Sequence, residues 1–81
     1  MFTFKEKLRL RVQETFCASG VNVLAGTVVH VDWINELCDP DNRRYELTVA
    51  LTPVEPPGPT ILWGRSHPLD DAYANQIFEP A

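Results

Sequence analysis

Two groups of side chains in this sequence are of types that catalyse reactions or hold metals. Ser66-His67 stands just before Asp70 and Asp71, the residue types of a nucleophile, a base and an orienting acid. Adjacent Ser and His side chains, however, seldom place the imidazole to take the serine proton. The same stretch suits a helix start. Ser66 caps, Pro68 fits the first turn, and the two acids lie at the positive end of the helix dipole. His30, His67, Cys38, Asp39 and Asp41 are metal-ligand types, but only Asp39 and Asp41 share an element, a turn. A calcium loop needs more oxygen ligands and a glycine at a set position. These residues imply no metal, no cofactor and no catalytic group, so the sequence points away from an enzyme. Cys17 and Cys38 match no redox or zinc spacing and are expected as reduced thiols.

Binding chemistry is better represented. Lys5, Lys7, Arg9 and Arg11 alternate with other residues. On a regular strand they form a basic stripe on one outer face, repeating every ~7 Å. Such a stripe can track phosphates or dock on an acidic protein. A solvated face paired with cross-strand acids such as Glu46 accounts for it equally well. The net charge of −4 disfavours general nucleic-acid binding. The charge is segregated: four cations stand against Glu6 in residues 1–13, and three arginines against ten acids in 14–81.

Trp33 and Trp63 are expected at strand ends and Tyr45 at a strand start. An aromatic groove for polyproline ligands also calls for acids in the first long loop, and that loop offers only Glu14. The aromatics therefore read as core, with one tryptophan partly exposed at an interface between copies. The loop Pro53-Val54-Glu55-Pro56-Pro57-Gly58-Pro59 is a stiff connection, and a second candidate ligand for a partner's groove.

The elements that must carry these residues follow from periodicity. The chain has 81 residues, the size of one domain with a single thin core. Phe2, Phe4, Leu8, Leu10 and Val12 share one parity, which predicts a half-buried first strand broken by a bend or bulge near Lys5–Lys7, where Glu6 spoils the pattern. Residues 14–20 read as a loop, with Phe16 folding back over the core. A second strand runs over 21–34, with Gly26 at a bend. In it Val29, Val31 and Trp33 face opposite to Val28, His30 and Asp32. Residues 35–43 form a polar turn. The third strand sets Tyr45, Leu47, Val49 and Leu51 against Glu46, Thr48, Ala50 and Thr52. After the proline loop come a fourth strand over 60–63, one or two helical turns with Leu69, Ala72, Tyr73 and Ile77 on one face, and a closing strand at Ile77-Phe78. No apolar run reaches the ~20 residues of a membrane span, and the N-terminus does not read as a signal peptide. A cytoplasmic protein with no membrane partner is expected.

The fold class predicted is mostly β: a small five-stranded SH3-like barrel over residues 1–81, with one short helical turn before the last strand. The segments Leu8-Arg9-Leu10-Arg11-Val12, Gly26-Thr27-Val28-Val29-His30-Val31, Tyr45-Glu46-Leu47 and Ile77-Phe78-Glu79-Pro80 resemble the layout of bacterial and phage SH3-like domains. The strand order is also similar to that of the small plasmid-borne dihydrofolate reductase, which works as a tetramer around one pore. Its pore motif Val-Gln-Ile-Tyr falls where this chain has Thr60-Ile61-Leu62-Trp63. The glutamine and the tyrosine hydroxyl are both missing, so that activity does not carry over. The resemblance implies a binding or assembly module of a bacterial, phage or mobile-element accessory protein, acting by contact. Its expected partner is itself, as a homo-oligomer, or another protein. The candidate binding residues are Lys5, Lys7, Arg9, Arg11, Trp33, Tyr45 and Trp63.

Overall fold

Alternation is strongest where the chain is most buried. In the computed structural model, which describes residues 2–66 and 71–81, Leu47, Val49 and Leu51 lie on one face of a strand and are almost fully covered. That strand is one of two long ones that dominate the fold. The elements in order are β1 (Arg9–Val12), β2 (Phe16–Ala18), β3 (Val21–Val23), β4 (Val28–Asp39), β5 (Arg44–Glu55), β6 (Ile61–Arg65), α1 (Asp71–Ile77) and β7 (Phe78–Pro80). Five strands form one antiparallel sheet in the order β6-β5-β4-β1-β7, and β2 and β3 form a separate hairpin. The large sheet curls into a half-barrel. Three hairpin-linked strands carry the first and last strands at one side, and the only helix among the described residues precedes the last strand, as expected.

The inner face of the curl holds the core. Leu10, Val12, Val29, Val31, Val49, Leu51 and Ile61 supply its aliphatic part. Phe16, Trp63 and Phe78 supply an aromatic centre, with ring centroids 5.0–5.2 Å apart and steep interplanar angles, the edge-to-face geometry that aromatic quadrupoles favour.

Several boundaries differ from the sequence expectation, each for a local reason. The first strand begins only at Arg9. Glu6 and Lys7 form a turn, Lys7 has φ 68°, and the Leu8 N–H donates to the Lys5 carbonyl at 3.3 Å. The expected second strand is two strands, because Gly26 at φ 93° reverses the chain instead of bending it. Residues 14–20 are not only loop: they contain β2 and the turn to β3, and Phe16 is buried as expected. The polar turn shrinks to 40–43, because β4 and β5 extend past the core as a hairpin arm. The third strand runs on through Pro53, which sits opposite Val29 beside a register shift. A residue without an N–H fits there, since β6 starts only opposite Leu51. The expected helix start falls largely on residues 67–70, outside the described residues. Ile77 closes the helix and β7 begins at Phe78.

The N-terminal segment is held by a side chain that imitates a strand. Asn75 on α1 accepts from the Phe2 N–H through Oδ1 at 2.7 Å and donates from Nδ2 to the Phe2 carbonyl at 3.2 Å. Phe2 then packs edge-on to Phe4, and Phe4 to Phe78. Asn75→Ala is expected to free residues 2–4 and to cost about 1–2 kcal/mol, the worth of two partly buried hydrogen bonds. Faster amide exchange at Phe2 to Phe4, with β4 and β5 unaffected, is the check.

Candidate functional site

The seven candidate binding residues do not converge. Arg9 and Arg11 lie on the outer face of β1, while Lys5 and Lys7 belong to the turn before it. The basic stripe is therefore not one strand face: the Glu6–Lys7 turn takes its first half off the strand. The acid it meets is Glu79 on β7, whose carboxylate lies 3.6 Å from the Arg11 guanidinium. Glu46 pairs instead with Arg44 at 3.2 Å. Tyr45 is the second residue of β5, half-buried and packed against the core.

The two tryptophans have opposite fates. Trp63 sits inside β6 rather than at its end, on the inner face, and is 7 % exposed. Its ring stacks on Tyr73 of α1 with centroids 5.7 Å apart and planes 15° from parallel. Its Nε1–H is buried and hydrogen-bonded to nothing among the described residues, a state that costs about 1–3 kcal/mol. Above it runs a groove of about 620 Å³, lined by Phe16 and Cys17 on one wall, Leu62, Gly64 and Arg65 on the other, and Tyr73 at one side.

Trp33 faces the other way. The sequence pattern places it with Val29 and Val31, but the pairing of β4 with β5 shifts between Val31 and Trp33, so that Val31 opposes Leu51 and Trp33 opposes Ala50. The shift leaves Asp32 as an inserted residue, and one extra residue moves every later side chain to the opposite face. Trp33 therefore stands on the outer face, 44 % exposed. Leu62 on β6 also opposes Ala50 and is 49 % exposed. Between them Ala50 is fully covered. Leu37 extends this apolar row along β4, with Asn35 between it and Trp33. The sequence holds no marker for the row, because its central member is an alanine on the face assigned to solvent.

The displaced Asp32 anchors a polar cluster beside the row. Its carboxylate accepts from the Thr52 hydroxyl and lies 3.0 Å from His30 Nδ1. Thr60 Oγ1 is 2.7 Å from Thr52 Oγ1. The Thr52 hydroxyl, then His30, hold the Asp32 carboxyl below the ordinary aspartate range. A depressed folded value means that the stabilisation is complete above the unfolded pKa of ~3.9 and disappears as pH falls through the folded one. Asp32→Asn should therefore be less stable than the parent at pH 7, and the difference should shrink as the pH is lowered to about 2. Because Asp32 is well exposed, solvent screening limits the effect to about 1 kcal/mol or less. Urea midpoints measured at both pH values test it.

Among the described residues no group of three or more His, Cys, Asp or Glu side chains gathers as a metal cage, and Cys17 and Cys38 are both exposed and unbridged. The Ser66–Asp71 reading falls largely outside the described residues. No helix of the described residues is long and apolar enough to cross a membrane.

The chain matches no protein-family model, no curated protein and no solved structure. What its surface can do is therefore read from its geometry. A face with exposed tryptophan and leucine around a buried alanine suits contact with another protein. So does a groove floored by aromatic rings.

Proposed function

We propose that the chain is a small protein-contact module that associates with a second copy of itself through the outer face of its half-barrel. The observation that carries this reading is the cross-strand row Trp33–Ala50–Leu62, in which two large apolar side chains stay half-exposed on the outer face of the sheet. Scattered apolar residues are ordinary on a surface, but a contiguous row around a tryptophan has the composition of an interface centre. A two-fold contact uses such a row twice and buries both copies at once. The Asp32 cluster lies beside the row as a polar surround.

The strand order supports the finer reading of an SH3-like barrel, and we extend the proposal to an accessory protein of bacterial, phage or mobile-element type that acts in the cytoplasm without a cofactor of its own. Sedimentation equilibrium across micromolar concentrations tests the reading. A dimer, or a larger closed assembly, is the expected result. A monomer up to about 100 μM, where the association free energy would be weaker than roughly −5.5 kcal/mol, overturns it.

A further inference from the structure

The half-barrel stops short of closing between β2 and β6, and the backbone groups along that seam can be assigned. The Leu62 N–H donates to Ser19 Oγ at 3.0 Å, so it points away from β5. Residues of an antiparallel strand alternate between pairs that exchange two hydrogen bonds and pairs that exchange none. Leu62 opposite Ala50 and Gly64 opposite Thr48 are therefore of the second kind, and the N–H and C=O of Gly64 face the seam. On the other wall, Ser19 and Gly20 have φ of 53° and 72°, the signature of a two-residue type I′ turn. The pair next to such a turn, Ala18 and Val21, is hydrogen-bonded, so Cys17 opposite Asn22 is not, and its N–H and C=O also face the seam. Among the described residues β2 pairs only with β3, and β6 only with β5.

We infer that this seam binds an extended segment of another protein, which adds as a strand between Cys17 and Gly64 and lays an apolar side chain over Trp63 and Tyr73. The clasp of Ser19 on Leu62 closes one end. From it β2 runs back from Ala18 to Phe16 and β6 runs on through 63–65, so the groove lies between two edges with backbone donors and acceptors on both. A strand of about five residues covers roughly 17 Å, the length of β6. Main-chain hydrogen bonds supply the affinity of such strand addition, and alternate side chains supply the choice of partner. Inward positions meet Phe16, Trp63 and Tyr73 and call for apolar residues. Arg65 borders the open end with its guanidinium held 5.7 Å over the Phe4 ring. The seam shares Leu62 with the Trp33 row, but strand addition uses the backbone of Cys17 and Gly64, whereas self-association uses the Trp33 and Leu62 side chains.

The test is a titration of the full chain with capped five-residue peptides in which valine, isoleucine or tyrosine alternates with threonine. Amide and indole NMR shifts are the readout. Saturable shifts are expected at Cys17, Gly64 and the Trp63 indole. N-methylating the peptide's alternate nitrogens should weaken binding by about tenfold or more, the loss expected from even one backbone hydrogen bond. Gly64→Pro should do the same, since it removes a donor on the seam side and leaves the β5 ladder intact. The proposal is overturned by an absence of saturable shifts, by equal affinity of the N-methylated peptides, or by a loss of self-association in Gly64→Pro, which would make the occupant a second copy. The N-methyl comparison needs no variant, so a misfolded Gly64→Pro leaves it decisive.

Discussion

Phe78→Ala is expected to lower the melting temperature by at least about 12 °C. Phe78 is 1 % exposed and joins the parts of the fold that meet on the inner face. Its ring centroid lies 5.0 Å from that of Trp63 on β6, 5.2 Å from Phe16 on β2 and 6.1 Å from Phe4 in the N-terminal segment. Its backbone pairs with Val12 on β1, and its carbonyl accepts from the Gln13 side chain at 2.8 Å. Truncating a buried phenylalanine costs about 3–5 kcal/mol. A domain of this size has a total stability on the order of 4–12 kcal/mol, so the variant loses a large share of it. Each kcal/mol corresponds to roughly 4–8 °C in a domain of 60–100 residues, so Tm should fall by at least about 12 °C. Near-ultraviolet circular dichroism should lose the signal of the packed rings. Leu24→Ala is the control: Leu24 is 64 % exposed, and its loss should stay within about 0.5 kcal/mol. Equal melting of the two variants would mean that the aromatic centre does not hold the fold together.

The parts of this fold that were legible in the sequence are those where burial alternates over many residues. β5 could be read from Tyr45 to Thr52, because Leu47, Val49 and Leu51 face the core at every second position, whereas Pro53 to Glu55 are assigned to the proline loop by composition and continue the strand in the structure. The bend near Lys7 could be read from the parity break at Glu6. The β2–β3 hairpin was missed because a three-residue strand is too short to show a period. Its one local signal was Ser19-Gly20, a dipeptide that favours turns. The arm of β4 beyond Ile34 was read as a turn because it leaves the core, and both of its faces become polar or exposed. The site residues fared less well for a physical reason. Trp33 and Trp63 are the same residue type in similar strands, and the bulge at Asp32 decides which of them faces water. A bulge depends on the pairing of two strands, and no residue of β4 announces it by itself. The seam was out of reach altogether, since it is made of backbone groups at Cys17 and Gly64 that belong to elements distant in the chain.

Trp33→Ser separates folding from association. The Trp33 side chain is 44 % exposed and opposes Ala50 across the β4–β5 ladder. It contributes no ring pair to the aromatic core, which is built from Phe2, Phe4, Phe16, Trp63, Tyr73 and Phe78. Its removal uncovers the Ala50 methyl and one side of the sheet, so the melting temperature should move by only a few degrees. In the self-association reading the same side chain is the anchor of the contact, and interface tryptophans of that kind are worth about 2 kcal/mol or more. The dimer dissociation constant should therefore rise by roughly 30-fold or more. Leu62→Ser, on the other flank of Ala50, should act in the same direction with a smaller effect, since hot-spot energy concentrates in the aromatic. Sedimentation and melting measured on the same two variants give a clear split. Loss of association with an intact fold assigns the contact to the outer face. Parallel loss of both would make Trp33 a packing residue, and unchanged association would move the contact off the β4–β5–β6 surface.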